Sequence, residues 1–237
     1  MATTANYWPD DSIPYYWHKE MMSSLKRFGR NPVVLGAQCS WQGLMSKPRL
    51  LREYLQKNWQ EIDCLIVFDA FDIVWARDPV DVVNEWHEMG RPFIIGGERE
   101  IFPPEFKERD FPESSTSYRF PNSGFIICTA PDMVKVLDAM GMDSIPNEVQ
   151  KEDGGVDHGN DQREYIKLFL KQPVPMRIDT ETRFVWNMHE AKPDEFDFSG
   201  PVPRNRETGN CPACFHGNGS GKGQDIMGPI VQHLKLR

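Results

Sequence analysis

The 237-residue sequence predicts an α/β fold: a mostly parallel sheet flanked by helices, in a single domain over 1–237. Three observations carry that expectation. Short apolar runs alternate with segments of helical periodicity, as βα units require. One run, Cys64-Leu65-Ile66-Val67-Phe68, is continuously apolar, which marks a strand buried on both faces. Apolar residues make up 39% of the chain, too many for a disordered segment and enough for a core at this length.

The elements follow in order. Met21 to Phe28 reads as a helix, and Pro32-Val33-Val34-Leu35-Gly36 as a short strand closed by glycine. Pro48 to Trp59 carries Leu50, Leu51, Tyr54, Leu55 and Asn58 on a helical period. After the Cys64–Phe68 strand, Asp78-Pro79 opens a helix. Asp caps free N–H groups, Pro suits the first position, and Asp81 complements the dipole. Val82, Val83, Trp86 and Met89 form its apolar face, and Gly90 ends it. Phe93-Ile94-Ile95-Gly96-Gly97 is the next strand. Residues 99–121 form a Pro-rich polar loop, long enough to expect a function for it. Gly124 to Thr129 is a strand, and Pro131 opens a helix with Val134, Leu137 and Met140 on one face. Residues 143–160 read as acidic loop, Asp161 to Lys171 as a helix, and Met176 to Asp179 as a strand. Lys192 to Gly228 is rich in Gly, Pro and Asn and is expected to lack regular structure.

The formal net charge of −8 argues against a sequence-independent binder of phosphate backbones. No run approaches the roughly 18 apolar residues of a membrane span. The opening residues show neither a basic nor an apolar leader segment, so an intracellular setting is expected. Five cysteines, Cys39, Cys64, Cys128, Cys211 and Cys214, fit reduced thiols. Cys211-Pro212-Ala213-Cys214 has metal-binding spacing, but no second pair completes a zinc site.

The strongest chemical signal is Phe68-Asp69-Ala70-Phe71-Asp72, two carboxylates at the carboxyl end of the most apolar strand. Ligands on α/β sheets bind at such ends. Extended residues three apart face opposite sides, so sharing one ion demands a turn at Ala70-Phe71. Hard oxygen ligands at a turn suit Mg²⁺ or Mn²⁺. The plain alternative is a strand end and a turn cap.

His216-Gly217-Asn218-Gly219-Ser220-Gly221-Lys222 is the second signal. Its glycines let backbone approach a ligand, and its amides can face phosphate oxygens. The GxxxxGK[ST] pattern fails, and no helix clearly follows. Glu98 lies just beyond a strand, where a solvated loop acid is the plain reading. Asn122-Ser123-Gly124 reads as a turn, and Asp161-Gln162 as a helix cap.

Taken together, FDAFD, GGERE, FPNSGF, DQ, RIDTETRF and FHGNG, in that order from about residue 33 to about 222, resemble the glycosyltransferase domain of procollagen lysyl hydroxylases, the PLOD family. They also resemble stand-alone viral and microbial glycosyltransferases. The resemblance implies a GT-A fold, Rossmann-like, that uses a UDP-sugar and Mn²⁺, with Mg²⁺ as the alternative ion. It implies that Asp69, Asp72 and His216 hold the metal and that Phe71 stacks on uracil. Gly217, Asn218, Gly219 and Lys222 would contact the diphosphate, and Lys47 the nucleotide. Glu98, Asn122 and Asp161 would line the sugar and acceptor side. It also implies retention, hence an α-linked product from a UDP-α-sugar. The acceptor hydroxyl could belong to a protein side chain, a glycoside or a modified nucleobase. Tyr7, Trp8, Tyr15, Tyr16 and Trp17 offer an acceptor platform or a dimer contact, with core packing as the plain alternative. Four departures from the family pattern stand out: Asp157-His158-Gly159-Asn160-Asp161 replaces a run of aspartates, Arg99 followed by Phe102-Pro103-Pro104 replaces an aromatic pattern, the first nucleotide-binding strand is not visible as an apolar run, and no lysyl hydroxylase domain is expected after HGNG. Two other function classes share these residues. One is an inactive relative that binds sugar or nucleotide, and the other is a metal-dependent phosphohydrolase.

Overall fold

The computed structural model describes residues 2–4, 18–36, 43–145, 148–150, 156–219 and 222–236; residues 2–4, 18, 148–150, 156–158 and 222–225 are described by backbone alone. The elements are β1 (Ala2–Thr4), α1 (His18–Lys26), β2 (Val33–Leu35), α2 (Ser46–Asn58), β3 (Leu65–Asp69), β4 (Ile73–Trp75), α3 (Pro79–Glu88), β5 (Phe93–Glu98) and β6 (Phe120–Cys128). They continue with α4 (Ala130–Met140), β7 (Glu148–Gln150), β8 (Val156–His158), α5 (Asp161–Lys171), β9 (Met176–Asp179), β10 (Val185–Asn187), β11 (Phe196–Asp197), β12 (Arg204–Asn205), β13 (Cys214–His216) and α6 (Lys222–His233).

The main sheet has six strands in the order β2-β1-β3-β6-β5-β9. All its pairs are parallel except the two made by β6, which runs antiparallel to β3 and β5. The period-2 alternation of the apolar runs sends side chains into two separate cores. Val67, Ile95 and Ile126 pack on one face with Leu51 and Leu55 of α2, Val136 and Leu137 of α4, and Ile166 of α5. Ile66, Phe68, Ile94, Phe125 and Ile127 pack on the other with Met21 and Leu25 of α1 and Val82 and Trp86 of α3. Each such side chain, fully buried, contributes about 1.5–3 kcal/mol, so the apolar runs themselves fix the layering. A third cluster joins Val74, Trp186 and Phe215 to Met227, Ile230 and Val231 of α6.

Caps fix the helix starts. Asp78 Oδ1 accepts the Val80 N–H at 3.0 Å at the start of α3, as its sequence indicates. Thr129 Oγ1 accepts the Asp132 N–H at 3.2 Å for α4, which ends at Gly141 with φ +63°. For α5 the cap is Asn160, whose Oδ1 accepts the Arg163 N–H at 3.1 Å. The cap reading of Asp161-Gln162 is therefore corrected by one position: both stand inside the helix.

Other sequence expectations need correction. β6 begins at Phe120, so Asn122-Ser123-Gly124 lies within a strand and not in a turn before it. The register against β5 shifts between Ile95 and Gly96, which leaves residues 123–125 without β5 partners. The acidic stretch 143–160 contains the β7–β8 hairpin. The Gly/Pro-rich tract 192–228 contains β11, β12, β13 and the start of α6, so a helix does follow the HGNG loop. Composition misled here, because strands of two or three residues take their order from pairing partners and not from local propensity. Tyr7, Trp8, Tyr15, Tyr16 and Trp17 lie outside the described residues, as does Cys39.

After Asp69 the chain leaves the main sheet, bends through Ala70, Phe71 and Asp72, and enters β4. The turn that metal sharing requires is present. β4 belongs to a second sheet of order β10-β13-β4. Its register places His216 beside Ile73 on one side and Asn187 on the other. Asp179, at the end of β9, accepts N–H bonds from Arg183, Phe184 and Val185 at 3.0, 2.8 and 3.0 Å and so aims β10 into that sheet.

Candidate active site

A pocket of about 480 Å³ opens where the two sheets meet. Its walls include Lys47, Asp69, Asp72, Glu98, Asn122, Asp161, His216, Asn218 and Gly219, drawn from six elements, the bend after β3 and the HGNG loop. The sequence placed these side chains in separate motifs, and the fold brings them together. Phe71 is half-buried in the bend between the two aspartates and is not part of that lining. Gly217 sits directly behind the lining, its N–H donating to the Asp72 carbonyl at 2.7 Å. Lys222 is the first residue of α6; its side chain lies outside the described residues.

The metal-ligating types converge at one corner. Asp69, Asp72 and His216 each offer a ligand atom, and these atoms lie within 4.8 Å of one another. His216 Nε2 is 3.6 Å from Asp69 Oδ2 and 3.4 Å from Asp72 Oδ2. Burial would pull the His216 imidazole down, but the Asp72 carboxylate and then Asp69 outweigh it, and the imidazole is raised. Burial opposes ionisation of Asp72, yet His216 more than compensates and holds its carboxyl low. Asp69 stays raised by burial despite Lys47. Two hard carboxylates and one imidazole are a donor set that Mn²⁺ accepts, and the three atoms are close enough to share one ion.

Lys47 Nζ bridges Asp69 Oδ1 at 2.8 Å and Asp161 Oδ2 at 2.9 Å. Burial disfavours its charge, but Asp161 and Asp69 together outweigh that, and its ammonium is raised. The lysine therefore orients one candidate metal ligand through the oxygen that does not face His216.

Glu98 forms a different centre. It is 4% exposed, so the solvated-acid reading does not hold. Oε1 accepts from Gln162 Nε2 at 2.6 Å; Oε2 accepts from Asn122 Nδ2 at 3.1 Å and Asn218 Nδ2 at 2.9 Å. Burial pushes its carboxyl up to about 7 against the pull of these amides. The amides are tied down in turn. Asn122 Oδ1 accepts the Gly124 N–H at 2.9 Å, and Asn218 Oδ1 accepts the His189 N–H at 3.0 Å.

Two glycines have steric reasons. A Cβ on Gly124 would stand 2.1 Å from His216 Cε1. Gly219, at φ +85°, would place one 2.3 Å from His189 Cδ2. Sequence reasoning missed Gln162 as a pocket residue, and Asn187 and His189 altogether. No local pattern marks them, because their neighbours are set by strand and loop pairing. The Cys211 and Cys214 thiols donate to the carbonyls of Val202 at 3.7 Å and Phe184 at 3.3 Å. Among the described residues, no helix is long and apolar enough to cross a membrane.

The chain is 27% identical over 184 residues to procollagen-lysine,2-oxoglutarate 5-dioxygenase 1 of Homo sapiens, covering 74% of this chain and 24% of that protein. It is 25% identical over 223 residues to the multifunctional procollagen lysine hydroxylase and glycosyltransferase of Caenorhabditis elegans, covering 86% and 29%. The chain thus spans only about a quarter of the length of these relatives. Among solved structures, its fold is similar to a glycosyltransferase involved in glycosylating the major capsid of PBCV-1 (TM-score 0.52, 10% identity, all of both chains). It is also similar to mouse xyloside xylosyltransferase 1 in its apo form (TM-score 0.53, 12% identity, 92% of this chain and 96% of that one). These neighbours share the mixed α/β architecture of GT-A glycosyltransferases. The model of the PLOD GT domain matches residues 17–227, and the chain belongs to that glycosyltransferase family.

Proposed function

We propose that this chain moves a hexose from a UDP-sugar to an acceptor hydroxyl, with Mn²⁺ bound and with retention at the anomeric carbon. The observation that carries the reading is the convergence of Asp69, Asp72 and His216, their ligand atoms within 4.8 Å, on the wall of a pocket of about 480 Å³. That pocket is large enough for a sugar and part of a nucleotide. When bound, the divalent ion supplies positive charge where negative charge develops on the departing diphosphate.

The chain's own residues do the rest. Gly217 ties the loop to the Asp72 carbonyl, Asn218 and Gly219 line the pocket beside the metal corner, and the N-terminus of α6 follows at Lys222; a diphosphate would lie along this loop, against Gly217, Asn218, Gly219 and Lys222. Lys47 fixes Asp69 and adds charge on the nucleotide side. Phe71, in the bend between the aspartates, would stack on uracil. Glu98, Asn122 and Asp161 hold the sugar and the acceptor hydroxyl near the reacting carbon, where orientation matters most. The acceptor is a hydroxyl on a protein side chain, a glycoside or a modified base. A net charge of −8 places nucleic acid last among them.

The test is UDP release from a panel of UDP-sugars with Mn²⁺ and with EDTA, beside an Asp72→Ala variant. Mn²⁺-dependent release from one donor, lost in the variant, establishes the transferase and names the sugar. Free phosphate as the product would turn the reading into a phosphohydrolase. No release and no UDP binding by calorimetry would make the site an inherited scaffold. Retention is checked by product NMR, where an inverted linkage would overturn it.

A further inference from the structure

His216 lies on β13 between β4 and β10, and its ring has two nitrogens with different neighbours. Nε2 faces Asp69 and Asp72, whereas Nδ1 lies 2.6 Å from Asn187 Oδ1. Asn187 is 2% exposed, and its register partner across the parallel β10–β13 pair is His216 itself. A carboxamide can present either its oxygen or its nitrogen, so by itself this contact would not decide which ring nitrogen carries a proton. The other end of the amide decides it. Asn187 Nδ2 donates to the Gly97 carbonyl at 2.7 Å, and a carbonyl can only accept. The nitrogen must therefore point at Gly97 and the oxygen at His216. An oxygen facing Nδ1 requires a proton on Nδ1, which leaves the lone pair of a neutral ring on Nε2, toward the two aspartates.

The backbone at both ends is built for this contact. Gly97 has no room for a side chain: a Cβ there would stand 2.6 Å from the Tyr118 carbonyl and 2.8 Å from the Asp179 carbonyl. Gly124 leaves space under the imidazole, where a Cβ would lie 2.7 Å from Nδ1.

We infer that Asn187 is a positioning residue for the metal corner, reading the Gly97 carbonyl and transmitting it to His216 as a fixed tautomer with Nε2 free to ligate. The inference rests on the metal reading of Asp69, Asp72 and His216. Partners of this kind in other proteins are worth about 10–100-fold in metal affinity, because they hold the ring and raise its basicity.

The experiment titrates Mn²⁺ alone into wild type, Asn187→Leu and Asn187→Asp, following free Mn²⁺ by EPR, with circular dichroism as the check on folding. Leu removes both hydrogen bonds. Asp loses the bond to Gly97 but keeps an acceptor for Nδ1. The expected result is affinity lowered about 10–100-fold in Asn187→Leu and largely restored in Asn187→Asp. Equal loss in both variants would mean that Asn187 only ties β10 to β5, and the assignment falls. Equal affinity in all three overturns it as well and leaves the metal reading standing. No Mn²⁺ binding by wild type overturns both. A second measurement holds even where a variant does not fold. In wild type loaded with diamagnetic Zn²⁺, long-range ¹H–¹⁵N correlations of the His216 ring should show Nδ1 protonated and Nε2 bound. The reverse assignment would sink the proposal.

Discussion

The pocket holds its buried carboxylates in two different ways. Asp69 and Asp72 share their corner with His216 and Lys47, so each negative charge meets a group that is or can become positive. Glu98 takes its hydrogen bonds from the neutral amides of Asn122, Gln162 and Asn218, with His216 adding a weaker Coulombic pull. The consequences diverge as electrostatics requires. His216 holds Asp72 below the usual carboxylate range, ready to serve as an anionic ligand. Neutral donors offset only part of the burial cost at Glu98, which rises to about 7. One helix start serves both centres: Asp161 pairs with Lys47, and the next residue, Gln162, pairs with Glu98.

Lys47→Met should have the largest effect. It leaves Asp161, whose side chain is 4% exposed, without the ammonium 2.9 Å away, and Asp69 without its other cation. Breaking a buried pair by deleting one partner costs about 3–5 kcal/mol. Urea denaturation near neutral pH checks it. A loss under about 1 kcal/mol would show that the cationic corner is solvated like a surface pair, and the contrast with Glu98 would dissolve.

Glu98→Gln tests the other centre. The folded chain keeps a proton on Glu98 up to about 7, whereas the unfolded chain releases it near the ordinary glutamate value of 4.5. Stability from this group is therefore highest below 4.5, declines as pH rises to about 7, and is flat beyond. The decline is on the order of 3 kcal/mol. The uncharged variant should lose that slope, read from denaturation midpoints in EDTA at about pH 5 and about pH 7.5. Identical slopes in both proteins would remove Glu98 as the source.

Asn160→Ala should have the smallest effect, about 1 kcal/mol, through the lost α5 cap. Because α5 presents Asp161 to one centre and Gln162 to the other, its fraying should weaken both. UDP affinity and the Glu98-dependent slope, measured together, would separate that outcome from a purely local loss.

Much of the fold was legible because β3, β5 and β6 of the main sheet contain apolar runs whose alternation feeds two cores. β9 spans Met176–Asp179 in sequence and structure alike, and α3 starts at the Asp78-Pro79 signal. The second sheet was not legible. β4, β10 and β13 are three residues each, embedded in polar or glycine-rich sequence, and exist because they pair with one another.

The site divides in the same way. Residue type and strand-end position marked Asp69 and Asp72, with His216, as ligand chemistry, whereas Glu98, Asn122 and Asp161 read locally as a loop acid, a turn and a cap and entered the site only through the family resemblance. Only the tertiary structure decided which oxygen faces which cation, that Asn160 and not Asp161 caps α5, that Glu98 is enclosed by amides, and that Asn187 stands behind His216. Apart from the Asn160 cap, those facts depend on contacts between residues far apart in sequence, 24 positions between Glu98 and Asn122 and 120 between Glu98 and Asn218. A linear pattern records which groups are available, whereas the direction of a hydrogen bond and the depth of a carboxylate are set by what the folded chain packs around them.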